Sequence, residues 1–220
     1  MSDAPAPPEA AGAALDAAGF QALTQTTDAQ LADLERFLEM LTAGNAVMNL
    51  VGPATIPDFW NRHAWDSAQL LRLAPDAASW ADLGAGAGFP GLVLAILFKG
   101  RPGATVHLVE SMAKRCRFLG SVAEALDLPV VIHNKRAEDL SLTVDIVTAR
   151  ACAPMSRLLG YARPYLKRGA VGLFLKGQDV ASELEDARTA WTFSSRLIES
   201  LSDPRGRIVE VKGLSRAPQA

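Results

Sequence analysis

The chain has 220 residues, 49% hydrophobic and 21% charged, with a formal net charge of −2. That is long enough for a substantial core and too apolar for a disordered chain. Two cysteines, Cys116 and Cys152, offer no disulfide framework. No apolar run would span a bilayer and the N-terminus has no signal-peptide pattern, so a cytoplasmic protein is expected.

Residues 1–26 are rich in Ala and Pro and read as a mobile lead-in with a short helix near 9–18. Thr27 and Gln30 form a candidate capping box, and Leu31, Leu34, Leu38 and Leu41 then make the apolar stripe of a helix over 28–43. Asn49 to Pro53 breaks it. A second helix is predicted over 57–73, with Phe59, Ala64, Leu70 and Leu71 on its apolar face. From residue 79 the pattern alternates. Strands are predicted at 79–83, 105–110, 130–133, 145–149 and 171–176. Helices are predicted at 89–99, 112–127, 154–167 and 178–191, and a closing strand pair at 192–200 and 207–212. This order implies an α/β, Rossmann-like, doubly wound and mostly parallel sheet (75–220) preceded by an N-terminal helical extension (1–74).

Charge is unevenly spread. Residues 1–60 hold one base and eight acids, whereas 61–220 hold 21 bases and 16 acids. From Arg150 to Lys176 there are six bases and no acid. Such asymmetry points to a face turned toward a polyanion, although each base alone is equally consistent with a solvated helix.

The chemistry centres on Asp82-Leu-Gly84-Ala-Gly86-Ala-Gly88-Phe89-Pro90-Gly91, a strand end, a glycine turn and a helix start. This arrangement aims free N–H groups beyond the carboxyl edge of a parallel sheet. The dinucleotide pattern Gly-x-Gly-x-x-Gly fails from Gly84, where Phe89 replaces the third glycine, and fits from Gly86 only late in the turn. Asp-x-Gly-x-Gly-x-Gly is the glycine loop of S-adenosylmethionine (SAM) methyltransferases. Glu110, at the end of the next strand, suits the ribose hydroxyls of either cofactor.

Four other clusters stand out. Arg62, His63, Asp66 and Ser67 sit on the second helix, with His63, Asp66 and Ser67 sharing a face; this is a polar cluster or a substrate-side or site-closing group, since one helical turn does not easily supply a hydrolase triad. Lys114, Arg115 and Arg117 form an edge for phosphates or for solvent. Glu138, following Ala137, could accept from an adenine amine or simply cap a turn. Arg150 and Cys152 end the fourth strand, where substrate should meet cofactor. Arg150 is expected to face the cofactor carboxylate or an RNA phosphate. Cys152 could serve a C5-pyrimidine or small-molecule methyltransferase, or pack as a small hydrophobe. Guanine N7 needs no such device, because it carries a lone pair and no proton.

Together these residues resemble the bacterial 16S rRNA guanine-N7 methyltransferases (RsmG, or glucose-inhibited division protein B). The likeness runs from Asn45 to Gly177 through Asn49-Leu50, Arg62-His63-x-x-Asp66-Ser67, the glycine loop, Lys114-Arg115-x-Arg117-Phe118-Leu119, Ala137-Glu138, Ala149-Arg150-Ala151 and Leu175-Lys176-Gly177. Val51 departs from the Thr that often follows Asn-Leu. The resemblance implies methylation of guanine 527 at N7 in a 16S rRNA hairpin loop, on naked RNA or an assembling small subunit. It implies SAM as donor, S-adenosylhomocysteine as product, no metal, no catalytic acid or base, and a monomer. Gly84, Gly86, Gly88, Phe89, Glu110, Ala137, Glu138 and Arg150 are the expected cofactor residues. Arg62, His63, Lys114, Arg115, Arg117 and Lys176 are the expected RNA residues.

Overall fold

Near-continuous apolar runs build a parallel sheet buried on both faces. In the computed structural model, which describes residues 15–218, the strands are β1 (Ser79–Leu83), β2 (Thr105–Val109), β3 (Val130–His133), β4 (Ile146–Arg150), β5 (Val171–Lys176), β6 (Trp191–Glu199) and β7 (Arg207–Arg216). Their order is β3-β2-β1-β4-β5-β7-β6. The first five are parallel. β7 inserts antiparallel between β5 and β6, so the closing pair forms a hairpin whose second strand is the inner one. β1 pairs with both β2 and β4, which brings the glycine loop to the middle of the carboxyl edge.

Side chains alternate across β1. Ala81 and Leu83 enter the core beneath α6 (Met155–Leu166) and α7 (Val180–Ala190), whereas Trp80 enters the core on the opposite face. That second core joins α4 (Gly91–Leu97) and α5 (Ala113–Ala125) to the N-terminal helices. α2 (Asp28–Met48) has the predicted Thr27–Gln30 capping box, buries Leu34, Phe37 and Leu41, and runs five residues beyond the predicted end. Its last turn is held by the Asn45 side chain, which accepts from Val51 N.

Two readings are corrected. The lead-in is not without order. The predicted helix over 9–18 lies partly outside the described residues, but α1 (Ala17–Thr24) forms because Asp16 caps it and Phe20 is fully buried beside Trp60. The helix predicted over 57–73 is α3, residues 60–72. It is a widened π turn (Trp60–Trp65), one α turn (Asp66–Ala68) and a 3-10 turn (Gln69–Arg72). Among the described residues no helix is long and apolar enough to cross a membrane.

Candidate active site

The glycine loop is fixed from below. Gly84 N and Ala85 N both donate to the Val109 carbonyl, at 2.8 and 3.1 Å, and Gly88 N donates to the Ala85 carbonyl. Gly84 has φ 70°, and a Cβ there would lie 2.9 Å from Cys152 Sγ. The loop therefore presents bare backbone at the sheet edge. Asp82 lies fully buried behind it. One oxygen accepts from Gly91 N at 2.9 Å and the other, Oδ1, has no partner. Burial raises its carboxyl pKa to about 7, against the opposing pull of the Gly91 N–H and Arg150. Glu110 is also buried. Its Oε2 accepts from Gly86 N at 3.1 Å and its Oε1 from Met112 N at 2.8 Å, so the acidic end of β2 is tied directly to the loop.

The opposite wall is α3. Arg150 reaches across from the end of β4 and donates to the Arg62 carbonyl (2.9 Å), to Asp66 Oδ2 (3.3 Å) and to His63 Nδ1 (2.9 Å). Its guanidinium also lies over the Phe89 ring, 4.7 Å from the centroid, and the His63 ring stacks on the same Phe89 at 4.5 Å. An arginine can only donate, so His63 Nδ1 accepts and Nε2–H donates to Thr55 Oγ1 at 2.9 Å. Burial, reinforced by Arg150 and Arg62, lowers the His63 pKa to about 3. The imidazole is neutral with both nitrogens engaged. Ser67 Oγ donates to the His63 carbonyl, so no hydrolase triad exists.

The third wall is the β6–β7 loop, residues 200–206, which the sequence did not single out. It is strapped to α3 through Gln69, whose Oε1 accepts from Leu201 N and whose Nε2 donates to Ser200 and Ser202. Asn61 donates to the Ser202 carbonyl, and Trp65 to the Leu201 carbonyl. Between these walls lies an open cleft of about 720 Å³. Its lining includes Arg62, Arg115, Arg205 and Arg207 alongside Asp58 and Asp203, the latter paired with Arg205, so bases outnumber acids at the mouth.

The pattern described as "GidB: rRNA small subunit methyltransferase G" matches residues 30–215. The chain belongs to the GidB family. The Ribosomal RNA small subunit methyltransferase G of Caulobacter vibrioides (strain NA1000 / CB15N) is 72% identical over 93% of this chain and 94% of its own length. The protein of that name from Methylorubrum populi is 50% identical over 83% of this chain and 88% of its own length. Solved structures similar in fold include an O-methyltransferase from Bacillus cereus in complex with SAH (TM-score 0.55, 15% identity, covering 90% of this chain and 100% of that one). A SAM-dependent methyltransferase from Aquifex aeolicus is another (TM-score 0.53, 16% identity, covering 76% and 96%).

In this GidB-family chain the residues singled out from sequence divide into two sets. Gly84, Gly86, Phe89, Arg150, Arg62, His63, Arg115 and Lys176 all line the cleft. Gly88, Glu110, Ala137, Glu138, Lys114 and Arg117 do not. Ala137 and Glu138 sit on a short turn after β3, where the Ala137 carbonyl accepts from Tyr165 Oη and Glu138 lies near Arg136. Lys114 and Arg117 are exposed on α5.

Within the cleft set, four side chains are already engaged by the protein itself. His63 is only 4% exposed and hydrogen-bonded on both sides. Lys176 is held by Glu183 at 2.6 Å and by the Ala153 carbonyl, so its charge is largely spent inside the protein. Arg150 faces Asp66 and His63 instead of presenting a free guanidinium. Phe89 turns its ring into the core against Phe37, leaving only backbone for a ligand. Cys152 stands against Gly84, and burial together with Asp82 and Glu110 pushes its thiol pKa up. No group of three or more metal-ligating side chains occurs among the described residues.

Proposed function

We propose that this chain transfers the methyl group of SAM to N7 of guanine 527 in a hairpin loop of 16S rRNA, releasing S-adenosylhomocysteine. Family membership supports ribosomal RNA as substrate. The observation that carries the choice of acceptor is that the histidine, the buried carboxyl and the thiol nearest the glycine loop are all unavailable as base or nucleophile. His63 is neutral with both nitrogens committed, Asp82 is sealed behind the loop, and the Cys152 thiol is pushed away from the thiolate. Guanine N7 requires neither base nor nucleophile, so positioning suffices.

The residues fit the donor. Gly84, at φ 70°, and Gly86, at φ 56°, line the cleft and turn bare backbone toward it, leaving room for the donor to approach the main chain. Gly84, Gly86 and the Phe89 backbone, which line the cleft, would hold the methionine end, and the adenosine would extend past the loop toward Gly88, Glu110, Ala137 and Glu138, which lie outside it; Glu110 would then exchange a main-chain partner for the ribose. SAM supplies an electrophilic methyl on a sulfonium. Arg150 is neutralised by Asp66. That pairing keeps an uncompensated cation away from a base that becomes positively charged on methylation. Arg62 and Arg115, on the rim, would meet RNA phosphates.

The test is to incubate the protein with SAM and small subunits, then map methylated nucleosides by mass spectrometry. The expected product is 7-methylguanosine at position 527, formed equally by Cys152→Ser. A 5-methylpyrimidine that disappears in Cys152→Ser would overturn the reading.

A further inference from the structure

Asp66 stands where two walls of the cleft meet, and its two oxygens serve different walls. Oδ1 accepts from Ser202 Oγ of the β6–β7 loop at 2.6 Å, across 136 positions of sequence. Oδ2 pairs with Arg150 at 3.3 Å, and Arg150 lies over Phe89 of the glycine loop. An unbroken chain of contacts thus runs from the β6–β7 loop through Asp66 and Arg150 to the cofactor loop. The loop is held by polar contacts more than by packing: Leu201 is 49% exposed, whereas Gln69, which clamps it, is 2% exposed. The same loop brings Arg205, and the start of β7 brings Arg207, to the rim.

We propose that Asp66 is a positioning residue that holds the RNA-bearing β6–β7 loop in register with the cofactor loop, with Ser202 as its partner. Buried polar networks transmit position because each member has one satisfied arrangement. RNA seated against the loop is then placed relative to the methyl donor by the Ser202–Asp66–Arg150 chain. Neither residue need touch the base. The proposal rests on the rRNA methyltransferase reading above.

The experiment measures SAM affinity by calorimetry, and kcat and KM for small subunits, in Ser202→Ala, Ser202→Thr, Asp66→Asn and the Ser202→Ala/Asp66→Asn double variant. Ser202→Ala is expected to raise KM for the subunit about tenfold, the loss of one hydrogen bond, and Ser202→Thr to restore it. Asp66→Asn is expected to lower kcat by up to about 100-fold through misplacement, with SAM affinity within about twofold of wild type. The double variant should be no worse than Asp66→Asn, because the two changes break the same link. Additive losses, an unchanged KM in Ser202→Ala, or SAM affinity falling in step with KM would overturn the proposal. If Asp66→Asn does not fold, the Ser202→Ala and Ser202→Thr pair decides alone. Failure of the wild type to methylate rRNA would refute the methyltransferase reading, whereas active wild type with unaffected variants refutes only the coupling.

Discussion

The two sides of the cleft are built on opposite principles. The cofactor side is compact and mostly backbone-made: a glycine turn hangs from the Val109 carbonyl, and the two carboxylates that touch it, Asp82 and Glu110, accept only from main-chain N–H groups. The substrate side is assembled from distant pieces. α3, the end of β4 and the β6–β7 loop meet through side-chain hydrogen bonds spanning more than 80 positions. The first kind of wall tolerates almost no change in volume. The second tolerates volume but depends on charge and protonation.

The comparison is challenged most strongly at Gly91. A Cβ there would lie 2.3 Å from Leu108 Cδ2 and 2.8 Å from Asp82 Oδ2. Gly91→Ala should destabilise the protein by about 3 kcal/mol through overpacking, seen as a lower Tm. A variant as stable as wild type would show that the cofactor wall is softer than its geometry.

Next comes acid on the substrate side. His63 has a folded pKa of about 3 against 6.5 when unfolded. The unfolded state therefore binds the extra proton first, and stability is lost as pH falls from 6.5 toward 3, on the order of a few kcal/mol. Thermal melts of His63→Gln should lose that part of the acid dependence. A wild-type and a variant curve of the same slope would rule it out.

Asp82 gives an effect of similar size and opposite sign. Its folded pKa, about 7, exceeds the unfolded 3.8, so its contribution to stability declines as pH rises through that window. Asp82→Asn should gain Tm relative to wild type between pH 4 and 8, by the equivalent of a few kcal/mol, on the order of that for His63. A difference independent of pH would contradict the buried, orphaned carboxyl.

The smallest effect is expected at the rim. Arg62→Ala should weaken RNA binding and reduce the slope of log K against log salt by about one unit. An unchanged slope would remove Arg62 from the phosphate contacts.

How much of this could be read from sequence follows the same division. The five parallel strands lie within a residue or so of their predicted places because short apolar runs bounded by turn residues, most of them buried on both faces, leave little choice. The capping box at Thr27 and the glycine loop carry their own signatures. Arg62, His63, Asp66 and Ser67 stand out as one cluster and Arg150 as part of another; nothing local says that the two meet, because the pairing of Arg150 with His63 and Asp66 is an encounter more than 80 positions apart. The β6–β7 loop escaped entirely. Ser200-Leu-Ser-Asp-Pro-Arg-Gly206 reads as an ordinary turn, and nothing local says that Gln69 and Asp66 await it. Lys176 looked like a free base because Glu183, its partner, lies on the following helix.

The account's central claim is that the cleft works by placement, without a titrating catalyst. It is tested most directly by the single-turnover rate at saturating SAM and small subunit, measured from pH 6 to 8.5. The prediction is a rate that changes by no more than about twofold in Asp82→Asn as in wild type, since guanine N7 bears no proton to remove, His63 stays neutral throughout, and buried Asp82, which titrates near 7, takes no part in the chemical step. A rate rising tenfold per pH unit through part of that range would mean that a general base or a thiolate takes part, and would contradict the account.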